Sequence, residues 1–228
     1  AARVPEWLPS IPVIGPPGID VDGTTLSPGW EYGQASDIEW LLEKYPDIGT
    51  LVADYGAGSY GSESDGSDIP GFDQAIHDRH VDGGQEASQA YQQSVLKTIT
   101  ESLRMHESDI IIMSALRDLA GAGKGVLTDN GTPKRAKQTL TEAFAPRQAF
   151  LAEPTAGSES DLIVRNDLPG AISASVQWVA GEQTGTVEFT LQGNSSGAPT
   201  SIQIPREAET VELEVSLPDG SVTNTYRI

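Results

Sequence analysis

The hydrophobic period of this chain changes once, close to Pro154, and no other feature constrains the fold as much. Before that point apolar residues come at helical spacing or in continuous runs. Tyr91, Val95, Ile99 and Leu103 recur every four residues and give one face of a helix from about Glu86 to His106. "DIIIMSAL" (109–116) is an unbroken apolar run, the pattern of a strand covered on both faces. After Pro154 the pattern alternates: Val211, Leu213, Val215 and Leu217 interleave with Glu212, Glu214 and Ser216. The two periods need different packing layers. The chain therefore reads as an α/β domain over 1–153 and an all-β domain over 160–228, with "TAGSES" as the linker.

Within the first domain, "IPVIG" (11–15) reads as a short buried strand and "GPPGIDVDGTTLSPGWEYG" as a long loop. Ser36 and Glu39 have the spacing of a capping box, and the helix that follows stops at Pro46. "GTLVADYG" is a strand ending at Asp54, followed by a polar, glycine-rich loop from about 56 to 84. Thr132 caps a last helix that has Pro133 at its first position. The order strand, loop, helix, strand, helix, strand, helix predicts a parallel sheet. The short alternating strands from 161 to 228, with turns about every 8 to 12 residues, predict a small β-sandwich.

Composition removes several function classes. The 33 acidic residues against 14 basic ones leave a net charge of −19, and only five of the basic residues are lysine. Nucleic acid is excluded as a partner, since phosphate binding needs a positive patch. An acidic, lysine-poor surface suits a protein kept soluble in high salt, and the expected source is a halophile. The absence of cysteine excludes disulfides and thiolate catalysis. No apolar stretch is long enough to span a membrane as a helix. The opening "AARVPEWLPS" has no initiator Met and no signal peptide. It reads as the middle of something, a processed product or one piece of a larger protein, and the compartment stays open between cytoplasmic and extracellular.

Several stretches, in order, resemble the C-terminal part of family 2 glycoside hydrolases, the β-galactosidase, β-glucuronidase and β-mannosidase group. "ADYGAGSYG" is similar to the family's seventh barrel strand. "QAYQQSVLKTITESLRMHESDIIIMSALRDLAGAGKGVLTDNGTPKRAKQTL" is similar to its helix seven, strand eight and the segment leading into the last helix. "LIVRNDLP" and "NTYRI" are similar to the ends of the sandwich that follows. The resemblance implies the C-terminal half of a (β/α)8 barrel followed by a small immunoglobulin-like β-sandwich. It implies hydrolysis of β-linked sugars with no cofactor and no metal. The rest of the barrel would come from a companion polypeptide or a second copy. The alternative is a catalytically inactive structural or carbohydrate-binding relative of the same family.

The resemblance also assigns places to residues. Asp54 stands where the family has its nucleophilic Glu, and Ser114 about where it has a Trp that walls the sugar site. Lys124 matches the Lys of an Asn-x-Lys pair that holds a sugar carboxylate in the glucuronidases, with Ala122 in place of the Asn. The acid/base lies after an Asn in the family, and this chain has no Asn-Glu pair.

A retaining glycosidase needs two carboxyl groups about 5–5.5 Å apart. Asp is one methylene shorter than Glu, which displaces the attacking oxygen by roughly 1 Å, enough to cost about a hundredfold in rate. The competing reading of Asp54 is a strand-end carboxylate that hydrogen-bonds loop amides. Trp30 and Tyr32 are placed to stack on a sugar ring or simply to pack. His77 and His80 have a spacing that suits a metal on a helix, but no third ligand is evident. "GAGKG" (121–125) echoes a phosphate loop but fails its pattern at Asp118 and Gly125. "SESDGSD" reads as a solvated acidic loop rather than a calcium site.

Overall fold

A computed structural model describes residues 10–12, 22–24, 35–44, 51–60, 74–106, 110–118 and 123–228. Contacts divide the chain into two units, Ala1–Leu140 and Thr141–Ile228.

In the first unit four strands form one sheet: β1 (Ser10–Pro12), β2 (Asp22–Thr24), β3 (Leu51–Tyr55) and β4 (Ile110–Met113), in that order. The β2–β3 and β3–β4 pairs are parallel, as the alternation of strands and helices predicts. Four helices accompany them: α1 (Ala35–Lys44), α2 (Gln74–His80), α3 (Gln85–Met105) and α4 (Arg135–Ala143). The core is the face that these helices share with the sheet. Ile38 and Leu42 of α1, Val95, Leu96, Ile99 and Leu103 of α3, and Ala136 and Leu140 of α4 bury against Val52 and Tyr55. Val95, Ile99 and Leu103 are on the face that the four-residue spacing gives, and Tyr91 packs at its margin.

Several features differ from the sequence reading. Ser36 lies inside α1, which begins at Ala35, and "TAGSES" connects β5 (Arg147–Leu151) to β6 (Glu159–Asn166) within the second unit rather than linking the two. β1 is antiparallel to β2. β2 and α2 both lie in stretches read as loop, because elements of three and seven residues are too short to show a period. Thr132 does not cap α4. Its hydroxyl donates to Asn130 Oδ1 (2.7 Å), closing a turn at Gly131, and the helix begins three residues later at Arg135. "DIIIMSAL" is covered on one face only, since Ile110 and Ile112 are half exposed while Ile111 and Met113 pack on the core. Finally, Arg147–Leu151, which falls in the first segment on period alone, is strand β5 of the second unit.

The second unit has seven strands: β5, β6 (Glu159–Asn166), β7 (Ile172–Ala180), β8 (Gln183–Leu191), β9 (Ser195–Gln203), β10 (Thr210–Leu217) and β11 (Gly220–Arg227). They form two antiparallel sheets, β11-β10-β7-β8 and β5-β6-β9. Alternation decides what is buried: Val211, Leu213 and Val215 point inward with Val176 and meet Ala149, Leu151, Leu162 and Val164. Two polar residues of "NTYRI" join the sheets. The Tyr226 hydroxyl accepts from the Leu151 amide (3.0 Å) and from Asn224 Nδ2 (2.8 Å), while Asn224 Nδ2 also donates to the Ala149 carbonyl (2.9 Å). A buried amide and hydroxyl that find partners on the facing sheet set the register of the two layers.

Candidate functional site at the ends of the parallel strands

Asp54 is the residue that the β3–β4 pairing passes over. Ala53 is opposite Ile112 and Tyr55 is opposite Met113, so Asp54 is one extra residue on β3. The buried side chains show the consequence. Val52 and Tyr55 both enter the helix-covered core although they are three residues apart. Strict alternation would place them on opposite faces. The bulge at Asp54 restores them to one face. Bulges of this kind recur at strand ends beside functional sites, where they re-aim a side chain. The Asp54 side chain itself lies outside what is described.

The chain leaving β3 runs directly along the chain leaving β4. The Ser114 amide donates to the Tyr55 carbonyl (2.9 Å) and the Ser114–Ala115 peptide is cis. Gly56 is needed here because a Cβ would overlap the Ser114 carbonyl oxygen. The Ala115 amide then donates to the Lys124 carbonyl (3.3 Å). The backbones of Asp54, Ser114 and Lys124 therefore meet at one end of the sheet, and the Lys124 side chain is exposed there. Trp30, Tyr32, Ala122 and the "SESDGSD" loop lie outside the described residues.

Beneath this end is a buried polar frame. Gln92 of α3 accepts from Ser59 Oγ (2.7 Å) and donates to the carbonyls of Ala57 (2.8 Å) and Gly125 (3.2 Å), so one amide ties both strand-end loops to a helix. The Ser59 amide adds a bond to the Gly123 carbonyl (2.8 Å). Lys134 reaches back from the start of α4 to Asp118, with Nζ 2.7 Å from Oδ2 and 2.9 Å from Oδ1, and donates also to the Gly123 carbonyl (3.1 Å). Asp118 Oδ1 accepts from the Gly125 amide as well (2.7 Å). Burial pushes the Lys134 ammonium below its usual range, while the Asp118 hydrogen bond and charge pull it back up. Tyr55 is fully buried and its hydroxyl is 2.7 Å from Thr100 Oγ1. Burial raises its phenol far above 10.0, and Thr100 and Arg104 oppose the rise. These side chains are buried beneath the strand ends.

The sequence reading singled out neither Gln92 nor the Asp118–Lys134 pair. The signal for Gln92 was a glutamine inside an apolar helical face. Asp118 and Lys134 are sixteen residues apart, and nothing local links them.

The two histidines point to different partners. His77 is buried, with Nε2 2.9 Å from Ser88 Oγ and Nδ1 within reach of Asp78 Oδ1 (3.0 Å) and the Tyr60 hydroxyl (3.3 Å). His80 stacks on Tyr91 instead. Among the described residues no three His, Asp or Glu side chains are grouped to hold a metal. The serine–histidine–aspartate contact is not a nucleophile either. Ser88 is fully buried and its Oγ already accepts the Tyr60 amide (3.0 Å), so no substrate carbonyl can reach it. In the sandwich, a groove of about 580 Å³ is lined by Ser173, Ser175, Glu188, Thr190 and Ser216. It is a solvated sheet face of short hydroxyl side chains and one carboxylate, and it sets no reacting group against another.

No protein-family model matches the chain, and no curated protein matches it. Solved structures do. The β-D-mannosidase from Dictyoglomus thermophilum superposes over 91% of this chain with a TM-score of 0.65, at 13% identity. This chain shares its fold with part of a β-D-mannosidase. It spans 30% of that enzyme's length. An exo-chitosanase from Amycolatopsis orientalis superposes over 62% of this chain and 19% of its own, with a TM-score of 0.49 and 12% identity. At that score the second match adds nothing to the first. At such identities the likeness concerns the fold and leaves the chemistry to the residues.

Proposed function

We propose that this chain is the C-terminal half-barrel and immunoglobulin-like sandwich of a family 2-type β-glycosidase, with Asp54 in the nucleophile's place. The observation that carries the reading is the bulge at Asp54, at the end of a parallel strand whose neighbour leads through Ser114 to Lys124. A carboxylate at the C-terminal end of a barrel strand is where a (β/α) barrel does its chemistry. The fold shared with a β-D-mannosidase supports the same reading.

On this reading Asp54 attacks the anomeric carbon of a β-linked sugar. Ser114 and Lys124 border the pocket, with Trp30 and Tyr32 as stacking surfaces. The Gln92 and Asp118–Lys134 frame holds the two strand ends together while charge develops between them. The acid/base comes from a partner segment, either a companion polypeptide or a second copy, because the chain has no Asn-Glu pair. That missing pair, with Asp in place of Glu, also supports a second reading. In it the chain is a catalytically inactive structural or carbohydrate-binding relative that keeps the frame.

Hydrolysis of aryl β-glycosides by the wild type and Asp54→Asn tests the proposal, with the isolated chain and with its completed assembly. Turnover by the assembly that is lost in Asp54→Asn supports the nucleophile. Turnover unchanged in Asp54→Asn removes Asp54 from the reaction, and no turnover in any preparation leaves the inactive relative.

A further inference from the structure

Two asparagines stand in the acceptor sequence for sugar attachment, Asn-x-Ser/Thr. They are Asn130 in Asn130-Gly131-Thr132 and Asn194 in Asn194-Ser195-Ser196. The chemistry asks for more than the sequence. A carboxamide nitrogen is a poor nucleophile, because its lone pair is shared with the carbonyl. It reacts when it gives up a proton and the charge that builds on the carbonyl oxygen is stabilised. Hydrogen-bond donors aimed at that oxygen supply the stabilisation. The nitrogen itself must be unbonded and open to a bulky sugar donor.

Asn130 meets both conditions. Its Oδ1 accepts from Thr128 Oγ1 (2.6 Å), from the Thr132 amide (3.0 Å) and from Thr132 Oγ1 (2.7 Å). A backbone N–H can only donate, so it is the oxygen of the carboxamide that faces Thr132. Among the described residues Nδ2 has no hydrogen-bond partner. Asn130, Gly131 and Thr132 are all exposed. Backbone bonds hold the turn in shape. The Gly131 amide donates to the Thr128 carbonyl (2.9 Å), and the Thr128 amide donates to the Thr132 carbonyl (2.8 Å). The spacing of the motif has its physical reason here, since the hydroxyl two residues on is the one that reaches back to Oδ1. Asn194 has a different setting. It is exposed in the turn from β8 to β9, but Ser195 and Ser196 already belong to β9, opposite Asn166 and Arg165. The Ser195 hydroxyl donates to the Gln192 carbonyl (2.9 Å).

We infer that Asn130 is an N-glycosylation site. In the transfer, Nδ2 bonds to the anomeric carbon of a sugar carried as a lipid-linked phosphate ester. The bond from that carbon to the phosphate oxygen breaks, and the phosphate leaves with the electron pair. One Nδ2 proton passes to a base of the glycosyltransferase. The three donors on Oδ1 hold the charge that builds there. A sugar at Asn130 marks an exported chain, which decides between the two compartments that the sequence leaves open. The sugar site stands whether or not the chain hydrolyses glycosides.

The test is mass spectrometry of the full chain expressed in its own cells and digested with trypsin. Cleavage after Lys124 and Lys134 isolates residues 125–134, which contain Asn130 and not Asn194. The expected peptide is heavier by whole sugar units, and fragmentation places them on Asn130. Thr132→Val removes the hydroxyl at an exposed position and should abolish the sugar, whereas Thr132→Ser should keep it. Thr128→Val leaves the acceptor sequence intact and removes one donor to Oδ1. It should lower occupancy about tenfold. Thermal midpoints monitor folding, and the Thr132 pair decides the matter if Thr128→Val does not fold.

An unmodified peptide, sugar confined to Asn194, or sugar on Lys124 or Lys134 overturns the assignment. So does conversion of Asn130 to aspartate without sugar, the product of attack by the Gly131 amide on the side chain. Sugar retained in Thr132→Val, or occupancy unchanged in a folded Thr128→Val, overturns it as well.

Discussion

Lys134 Nζ lies 2.7 Å from Asp118 Oδ2, and both side chains are buried. The pair joins the start of α4 to the loop that leaves β4, so it fixes the segment carrying Lys124. Removing one partner of such a pair strands the other charge in a dry site. Lys134→Met should cost about 3–5 kcal/mol in urea unfolding. Adding Asp118→Asn should recover part of that loss, because the amide oxygen still accepts from Gly125 and no bare charge remains. Strict additivity of the two substitutions would show that the pair has no coupling.

The buried Tyr55 phenol gives an alkaline limit to stability. Its pKa in the folded chain lies far above the 10.0 of the unfolded chain. Above pH 10 the unfolded chain gives up a proton that the folded chain keeps, so the folded state binds more protons and stability falls as pH rises. The contribution is complete below that pH. Tyr55→Phe should lose about 1 kcal/mol at pH 8 with the Thr100 hydrogen bond. It should also fall less steeply than the wild type between pH 9 and 11. Parallel slopes in denaturant titrations would contradict the assignment.

Gly56→Ala should be destabilising although it adds one methyl group. The new Cβ overlaps the Ser114 carbonyl oxygen, which is backbone and cannot swing away. The ends of β3 and β4 must separate, at a cost of about 1–3 kcal/mol. Gly170→Ala, which meets nothing nearby, is the control and should change the thermal midpoint little.

Salt should stabilise the chain. With a net charge of −19, withdrawing salt lengthens the screening distance from about 3 Å at 1 M to about 30 Å at 0.01 M. Thermal midpoints should rise steadily from low to molar KCl. An unchanged or higher midpoint at low salt would count against adaptation to brine.

Where a signal is local, the sequence carries it. The alternation from Val211 to Leu217 is enough to say which side chains enter the sandwich, because a strand has only two faces. The spacing of Val95, Ile99 and Leu103 likewise gives the buried stripe of α3. Asp54 could be placed at a strand end for the same reason, since an apolar run that stops at a carboxylate and glycines has few other readings. Tertiary structure decided the rest. The bulge at Asp54 exists because β4 pairs with Ala53 and Tyr55, and no residue near Asp54 encodes that pairing. "DIIIMSAL" is apolar throughout, yet only the positions of the helices and of β3 determine that Ile111 is covered while Ile110 and Ile112 are not. Asp118 and Lys134 become partners only when the chain folds back across sixteen residues. Period and propensity act over a few neighbouring residues, whereas a buried ion pair, a bulge or an open sheet edge depends on segments that meet only in the folded chain.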